Sequence, residues 1–186
     1  MHIRRVVTGR DDKGKAVFAS DDEVAPLTMA AAPGAEFHRL WGDDDVPSFP
    51  DSGAPPDQPT FFPPVGGFRF LFFTLPPAGT QPAADIDPAA AAAEIEEKLP
   101  GMGAYMEPDD PGMHTTDTID FEVVISGEVV LELDDGAEKV LHPGDTVVQN
   151  GTRHRWHNRG SKPAVLAAFL VGARHERVPP GGSQGG

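Results

Sequence analysis

Cysteine is absent from the 186-residue chain. That excludes disulfides and thiolate metal sites and fits a reducing compartment. Long apolar runs are missing too, and none approaches the ~20 residues needed to span a bilayer. The opening Met1-His2-Ile3-Arg4-Arg5 leads into a polar turn without the apolar core of a signal peptide, so a cytoplasmic location is expected. Basic residues are scarce: 15 Lys and Arg stand against 29 Asp and Glu, a formal charge of -14. Nucleic acid is excluded as a partner because phosphates need a basic surface, and anionic membranes are disfavoured. The acidity serves solubility.

Turn formers, in contrast, are plentiful. The 21 glycines and 20 prolines imply many turns and few long helices, in a chain long enough for one well-buried core. Arg4 to Gly9 and Lys15 to Ser20 read as a strand hairpin, followed to Pro64 by an irregular segment with scattered aromatics such as Phe37, Trp41 and Phe61. Residues 1–64 are therefore expected to form an arm packed on a barrel domain over 65–173, with a flexible tail over 174–186. Gly67 to Thr74 is strand-like, and the shared face of Phe68, Phe70 and Phe72 reads as core, with Phe70 also a candidate substrate contact. One helix is expected over 85–99, capped by Asp87 and opened by Pro88. Its alanine run has little to bury, which suits a lid or an edge cover. From Gly112 to Ala173 short strands and turns alternate at the spacing of a sandwich or barrel.

Two stretches carry chemistry. In His114-Thr115-Thr116-Asp117-Thr118-Ile119-Asp120, alternation places His114, Thr116, Thr118 and Asp120 on one face. In His154-Arg155-Trp156-His157, the aromatic beside His154 marks its face as the inside and sends His157 outward. Glu122 shares parity with Asp120, making it a second inward carboxylate and a candidate proton carrier raised in pKa by burial. Gln149, at a strand end, is either a substrate contact or an exposed turn residue. Arg69 and Arg153 are expected to be solvated surface charges. His142 lies in a turn. No nucleophile elbow, phosphate loop or dinucleotide fingerprint is present.

These stretches resemble the two motifs of the cupin superfamily. Asp120 falls at the glutamate position, counting back from Gly127; His114 matches the first histidine and Thr116 replaces the second. Gly151, His154 and Asn158 match the second motif, with Gln149 in place of a proline. Val6-Val7-Thr8-Gly9 and Leu40-Trp41 extend a weaker similarity to a branch of small cupins. The resemblance implies an all-β fold: an antiparallel β-barrel or jelly roll with an N-terminal arm and one short helix. It also implies a homodimer, with the arm's strands added to a sheet edge of the same chain or of its partner.

Metal-binding cupins hold one divalent ion with three histidines and a carboxylate. His114, His154 and Asp120 remain here, a two-histidine, one-carboxylate set that suits Fe, with Zn, Mn or Ni as alternatives. The expected function is a metal-dependent enzyme acting on a small oxygen-rich or aromatic molecule, with Glu122 or Asp120 moving a proton. Thr116, Gln149, Trp156 and Phe70 are its candidate substrate contacts. Lyase, decarboxylase or isomerase chemistry ranks level with ring-cleaving dioxygenation. The alternative is a non-catalytic binding barrel in which the two histidines are hydrogen-bonding groups.

Overall fold

The computed structural model describes residues 1–81 and 85–176. A hairpin, β1 (Arg4–Arg10) and β2 (Ala16–Glu23), forms a sheet of its own. A six-stranded sheet has the order β3-β4-β5-β11-β6-β9, from β3 (Leu27–Met29), β4 (Ala32–Asp43), β5 (Phe68–Leu75), β11 (Ala164–Gly172), β6 (Thr118–Ser126) and β9 (Thr146–Asn150). A three-stranded sheet follows the order β10-β7-β8, from β10 (Arg155–His157), β7 (Val129–Glu132) and β8 (Glu138–Leu141). Every pairing is antiparallel. The all-β jelly-roll barrel expected from the sequence is the fold observed.

The core lies between the two larger sheets. Leu71, Phe73, Val124, Leu166 and Leu170 from one meet Val129 from the other, with Trp156 and Leu141 packed at its border. Each fully buried Leu or Val side chain contributes about 1.5–3 kcal/mol here. The barrel sheet starts well before residue 65, because β4 runs twelve residues and pairs with β5 from Glu36↔Thr74 to Asp43↔Phe68. Within the segment expected to be irregular, β4 escapes the alternation rule for two reasons. It is covered on both sides, by the core and by the hairpin, and a bulge between Arg39 and Trp41 resets its parity. Only β3 and β4 of the arm join the sheet edge, while β1 and β2 pair solely with each other.

A second correction concerns β5. Phe68, Phe70 and Phe72 do share a face, but it points away from the core; Arg69, Leu71 and Phe73 point inward. Arg69 is not a solvated charge. It is 2% exposed, ion-paired to Asp44, and donates to the carbonyls of Asp43, Phe68 and Thr60, fastening the Pro-rich 44–62 loop to the barrel.

The helix α1 (Pro88–Lys98) is capped by Asp87, whose carboxylate accepts from Ala89 N at 3.1 Å, and buries none of its residues. Glu94 accepts from Ala30 N at 2.9 Å and Lys98 Nζ donates to Thr28 O at 2.7 Å, so the helix covers the β3 edge. No helix among the described residues is long and apolar enough to cross a membrane. The expected flexible tail lies, from residue 177 on, outside the described residues.

Gly127 turns the chain from β6 into β7 at φ 79°, and a Cβ there would sit 2.7 Å from the Ala164 Cβ. Gly127→Ala is therefore expected to lower the unfolding free energy by more than about 1 kcal/mol, read as a lower urea midpoint at unchanged slope. An unshifted midpoint would mean that this turn carries no conformational constraint.

Candidate active site

Strand β6 builds one wall. Thr118, Asp120, Glu122 and Val124 are buried on its inward face, while Ile119, Phe121, Val123 and Ile125 face out. Thr116, just before the strand, continues the inward row, and Thr118 Oγ1 donates to Thr116 Oγ1 at 2.8 Å. Strand β9 adds Gln149 directly opposite Asp120. Gln149 is 3% exposed, not a turn residue on the surface, and its Nε2 donates to Thr152 O at 3.1 Å and Thr152 Oγ1 at 2.7 Å.

Two histidines forty residues apart meet through their backbones. His114 N donates to His154 O at 3.0 Å and His154 N to His114 O at 2.9 Å. Their rings follow, with centroids 4.1 Å apart. Nδ1 of His114 lies 3.0 Å from Gly112 O, and Nδ1 of His154 lies 2.9 Å from Thr152 O. Both carbonyls require Nδ1–H, which leaves each Nε2 with its lone pair and no hydrogen bond among the described residues. Trp156 stands edge-on to His154 at 6.1 Å and reaches Phe73 at 6.5 Å, closing the apolar side.

Burial sets the charge states. It lowers the His114 imidazole, and with the charge of His114 it pulls His154 down to about 4. Burial also pushes Asp120 up to about 6, opposed by the Thr118 hydroxyl, and Glu122 up to about 8, helped by the neighbouring Asp120 charge. Near neutral pH both rings are neutral, Asp120 is mostly ionised and Glu122 mostly holds its proton.

Two buried acceptors, Asp120 Oδ1 and Glu122 Oε2, have no partner. Such orphans are costly unless a proton, water or cation meets them. Neutral imidazoles with free Nε2 atoms and orphaned carboxylates form a donor set that fits a divalent cation. The fit is open, not closed. His114, Asp120 and His154 are not a trio whose ligand atoms all lie within 4.8 Å; among the described residues that description belongs to Glu132, Glu138 and His157. Those three sit on the outer side of β7, β8 and β10 and are already engaged. Arg155 and His157 hold Glu132 down to about 2, and Arg159 pairs with Glu138.

Phe70 does not join the site, because β5 turns it outward and leaves it 38% exposed. The two-residue period had assigned it companions but no side of the sheet. Sequence reasoning also passed over Gly112 and Thr152, whose contributions are backbone carbonyls and leave no residue-type signal. Arg153, expected to be solvated, donates at 2.7 Å to both Glu107 oxygens and to Asp110. It ties the segment leading to His114 against the segment that carries His154 into β10.

The two carboxyls give a signed pH dependence in metal-free protein. Their folded pKa values exceed the ordinary ones, so the stability they add is complete below about pH 4 and is lost as pH rises through about 6 and 8. Compared with Glu122→Gln, the native protein should lose up to about 5 kcal/mol between pH 4 and 9, measured by urea unfolding. A constant difference across that range would show that Glu122 titrates normally.

Residues 104–171 match the family model described as a cupin domain. The oryzines biosynthesis cluster protein J of Aspergillus oryzae is 47% identical over 62 residues, 33% of this chain and 35% of that protein. The phomopsin biosynthesis cluster protein C' of Diaporthe leptostromiformis is 51% identical over 47 residues, 25% of each. The alignment thus spans only about a quarter to a third of these relatives' own length. A longer match, 26% identical over 91% of this chain and 72% of the other, is to the cupin-domain-containing oxidoreductase fogC of Aspergillus ruber. Among solved structures, a cupin 2 conserved barrel domain protein from Salinispora arenicola covers 83% of this chain and 92% of its own at 16% identity, with a TM-score of 0.41. The matched segment, a cupin domain over residues 104–171, is the one that carries His114, Asp120 and His154.

Proposed function

We propose that the chain is a metal-dependent cupin enzyme acting on a small, oxygen-rich or aromatic organic molecule. The observation that carries the reading is the His114–His154 pair, held ring against ring with both Nδ1 atoms tied to backbone carbonyls. Each Nε2 keeps its lone pair free and, unlike Asp120 Oδ1 and Glu122 Oε2, is not fully buried, so it opens toward space that a ligand atom can occupy. His114 and His154 would hold the ion, with Asp120 supplying the compensating charge. A divalent ion bound there would act as a Lewis acid on a substrate oxygen and, if iron, support dioxygen chemistry.

The chain's own residues divide the remaining work. Glu122 keeps a proton on its carboxyl through neutral pH and donates it to the substrate; Asp120, ionised beside it, accepts one. Two adjacent carboxyls whose environments separate their pKa values form an acid and base pair. Thr116 offers a hydroxyl on the same face, Gln149 keeps the Thr152 carbonyl in place beneath His154, and Trp156 excludes water from the ring pair. Several relatives bear oxidoreductase in their names, including virC of Hypocrea virens and srdB of Neurospora crassa. That favours oxidative chemistry over the lyase or isomerase alternative.

A second reading has its own support. Since His114, Asp120 and His154 do not close within 4.8 Å, a metal-free binding barrel would use the two Nε2 atoms as hydrogen-bond acceptors for a ligand. Calorimetric titration of dialysed protein with Fe(II), Zn(II), Mn(II) and Ni(II) separates the two. One ion per chain is expected, with affinity falling about 100-fold or more in His154→Ala while the circular dichroism is kept. Absence of stoichiometric binding to the native protein, or equal binding by the variant, would leave the metal-free barrel.

A further inference from the structure

Arg39 is a half-buried charge without a counter-ion. Among the described residues Arg4, Arg69, Arg153, Arg155 and Arg159 each pair with a carboxylate, and Arg39 pairs with none. It stands on β4 directly opposite Leu71, on the inward side of the sheet. Its Nη2 donates to Gln58 O at 2.9 Å, Gln58 Oε1 at 3.3 Å and Thr60 O at 3.1 Å, all neutral acceptors. Nε and Nη1 meet no acceptor among the described residues, and neither is fully buried.

The surroundings sharpen the need for an anion. Asp44, whose charge reaches Arg39, is ion-paired with Arg69, so two guanidiniums press on one acid. Burial lowers the Arg39 pKa and the Arg69 charge adds to it, with Asp44 opposing. A guanidinium nevertheless keeps its proton, so Arg39 cannot shed its charge as a buried lysine would. Water can meet the free donors but brings no charge.

Arg39 lines a pocket of about 470 Å³ together with Val24, Ala25, Leu27, Glu97 and Lys98. That is the size of a small-molecule site and far larger than a monatomic ion needs. Val24, Ala25 and Leu27 make one side apolar. Lys98 adds little free charge, because its Nζ is held by Glu94 Oε1 at 2.6 Å and Thr28 O at 2.7 Å. Glu97 is exposed and repels a second negative charge.

We propose that this pocket binds a small organic monocarboxylate, with its carboxylate on Arg39 and its apolar body against Val24, Ala25 and Leu27. One free guanidinium matches one carboxylate, whereas phosphate would bring more charge than Arg39 neutralises and set it against Glu97. None of these residues lies on the elements that carry His114 and His154, so the inference stands apart from the metal reading.

Calorimetric titration of the dialysed full chain with 4-methylpentanoate tests it, with 4-methylpentanamide as the neutral isostere and inorganic phosphate as the competing anion. The acid should bind one per chain with a Kd of about 1 mM or tighter, and the other two at least about tenfold more weakly. His154→Ala should bind it as tightly as the native protein, which separates this site from the proposed metal centre. Arg39→Gln should lose the binding. Should that variant unfold, because Arg39 also fastens the 58–60 loop, Ala25→Glu places a carboxylate in the pocket and should block the acid with the melting temperature kept or raised. Equal affinity for acid and amide overturns the proposal, as does binding that survives both pocket substitutions. A native protein that binds no acid also overturns it; if Glu97→Gln then binds, Glu97 is the pocket's own occupant.

Discussion

Two backbone hydrogen bonds between His114 and His154 are the constraint on which the site depends. They are short-range and directional, and they join a loop before β6 to the entry of β10, elements that belong to different sheets. Once the backbones are paired, the rings have little freedom, because each Nδ1–H is also held by a carbonyl two residues earlier in its own chain segment. Orientation is thus set by the backbone and only secondarily by side-chain packing. The Arg153 guanidinium then ties down the 107–110 segment, which would otherwise be a free loop rich in acid groups.

The chemistry of the interior follows from dehydration. Asp120 and Glu122 occupy inward positions of a strand whose next inward residue is Val124 in the core. Water is excluded from that row, so the proton stays on Glu122 and the rings stay neutral. Two carboxyls without full hydrogen-bond satisfaction cost stability, and the surrounding core of Phe, Leu and Val has to offset it. Local cost tolerated within a well-packed frame is the usual arrangement at functional positions.

The six-stranded sheet has an unusual division of faces. Its inward side combines the core with a polar row; its outward side is aromatic and uncharged along three strands. Polarity is therefore displaced to the loops, the hairpin and the outer side of the smaller sheet, where Arg155, His157, Arg159, Glu132 and Glu138 form an ion-pair network. The chain's net charge of -14 is carried elsewhere, since the outward face of these three strands has no charged side chain.

Much of this was legible in the chain before any coordinates. The strand spacing after Gly112, the Asp87–Pro88 helix start, and the co-facial set of His114, Thr116, Asp120 and Glu122 follow from local rules, since caps, turns and the two-residue period are properties of neighbouring residues. Strand β4 did not show itself, because burial on both sides and a bulge erase alternation. The burial of Arg69 and Gln149 depends on a distant loop and on Thr152. Alternation, finally, has a period but no sign. By itself the sequence determined that Phe68, Phe70 and Phe72 stand together and that Asp120 stands with Glu122. The carboxyls were already expected inward from their motif position; only the closing of the two sheets on each other decided that the aromatics go out, because inside and outside exist for a strand only once it has neighbours on both sides.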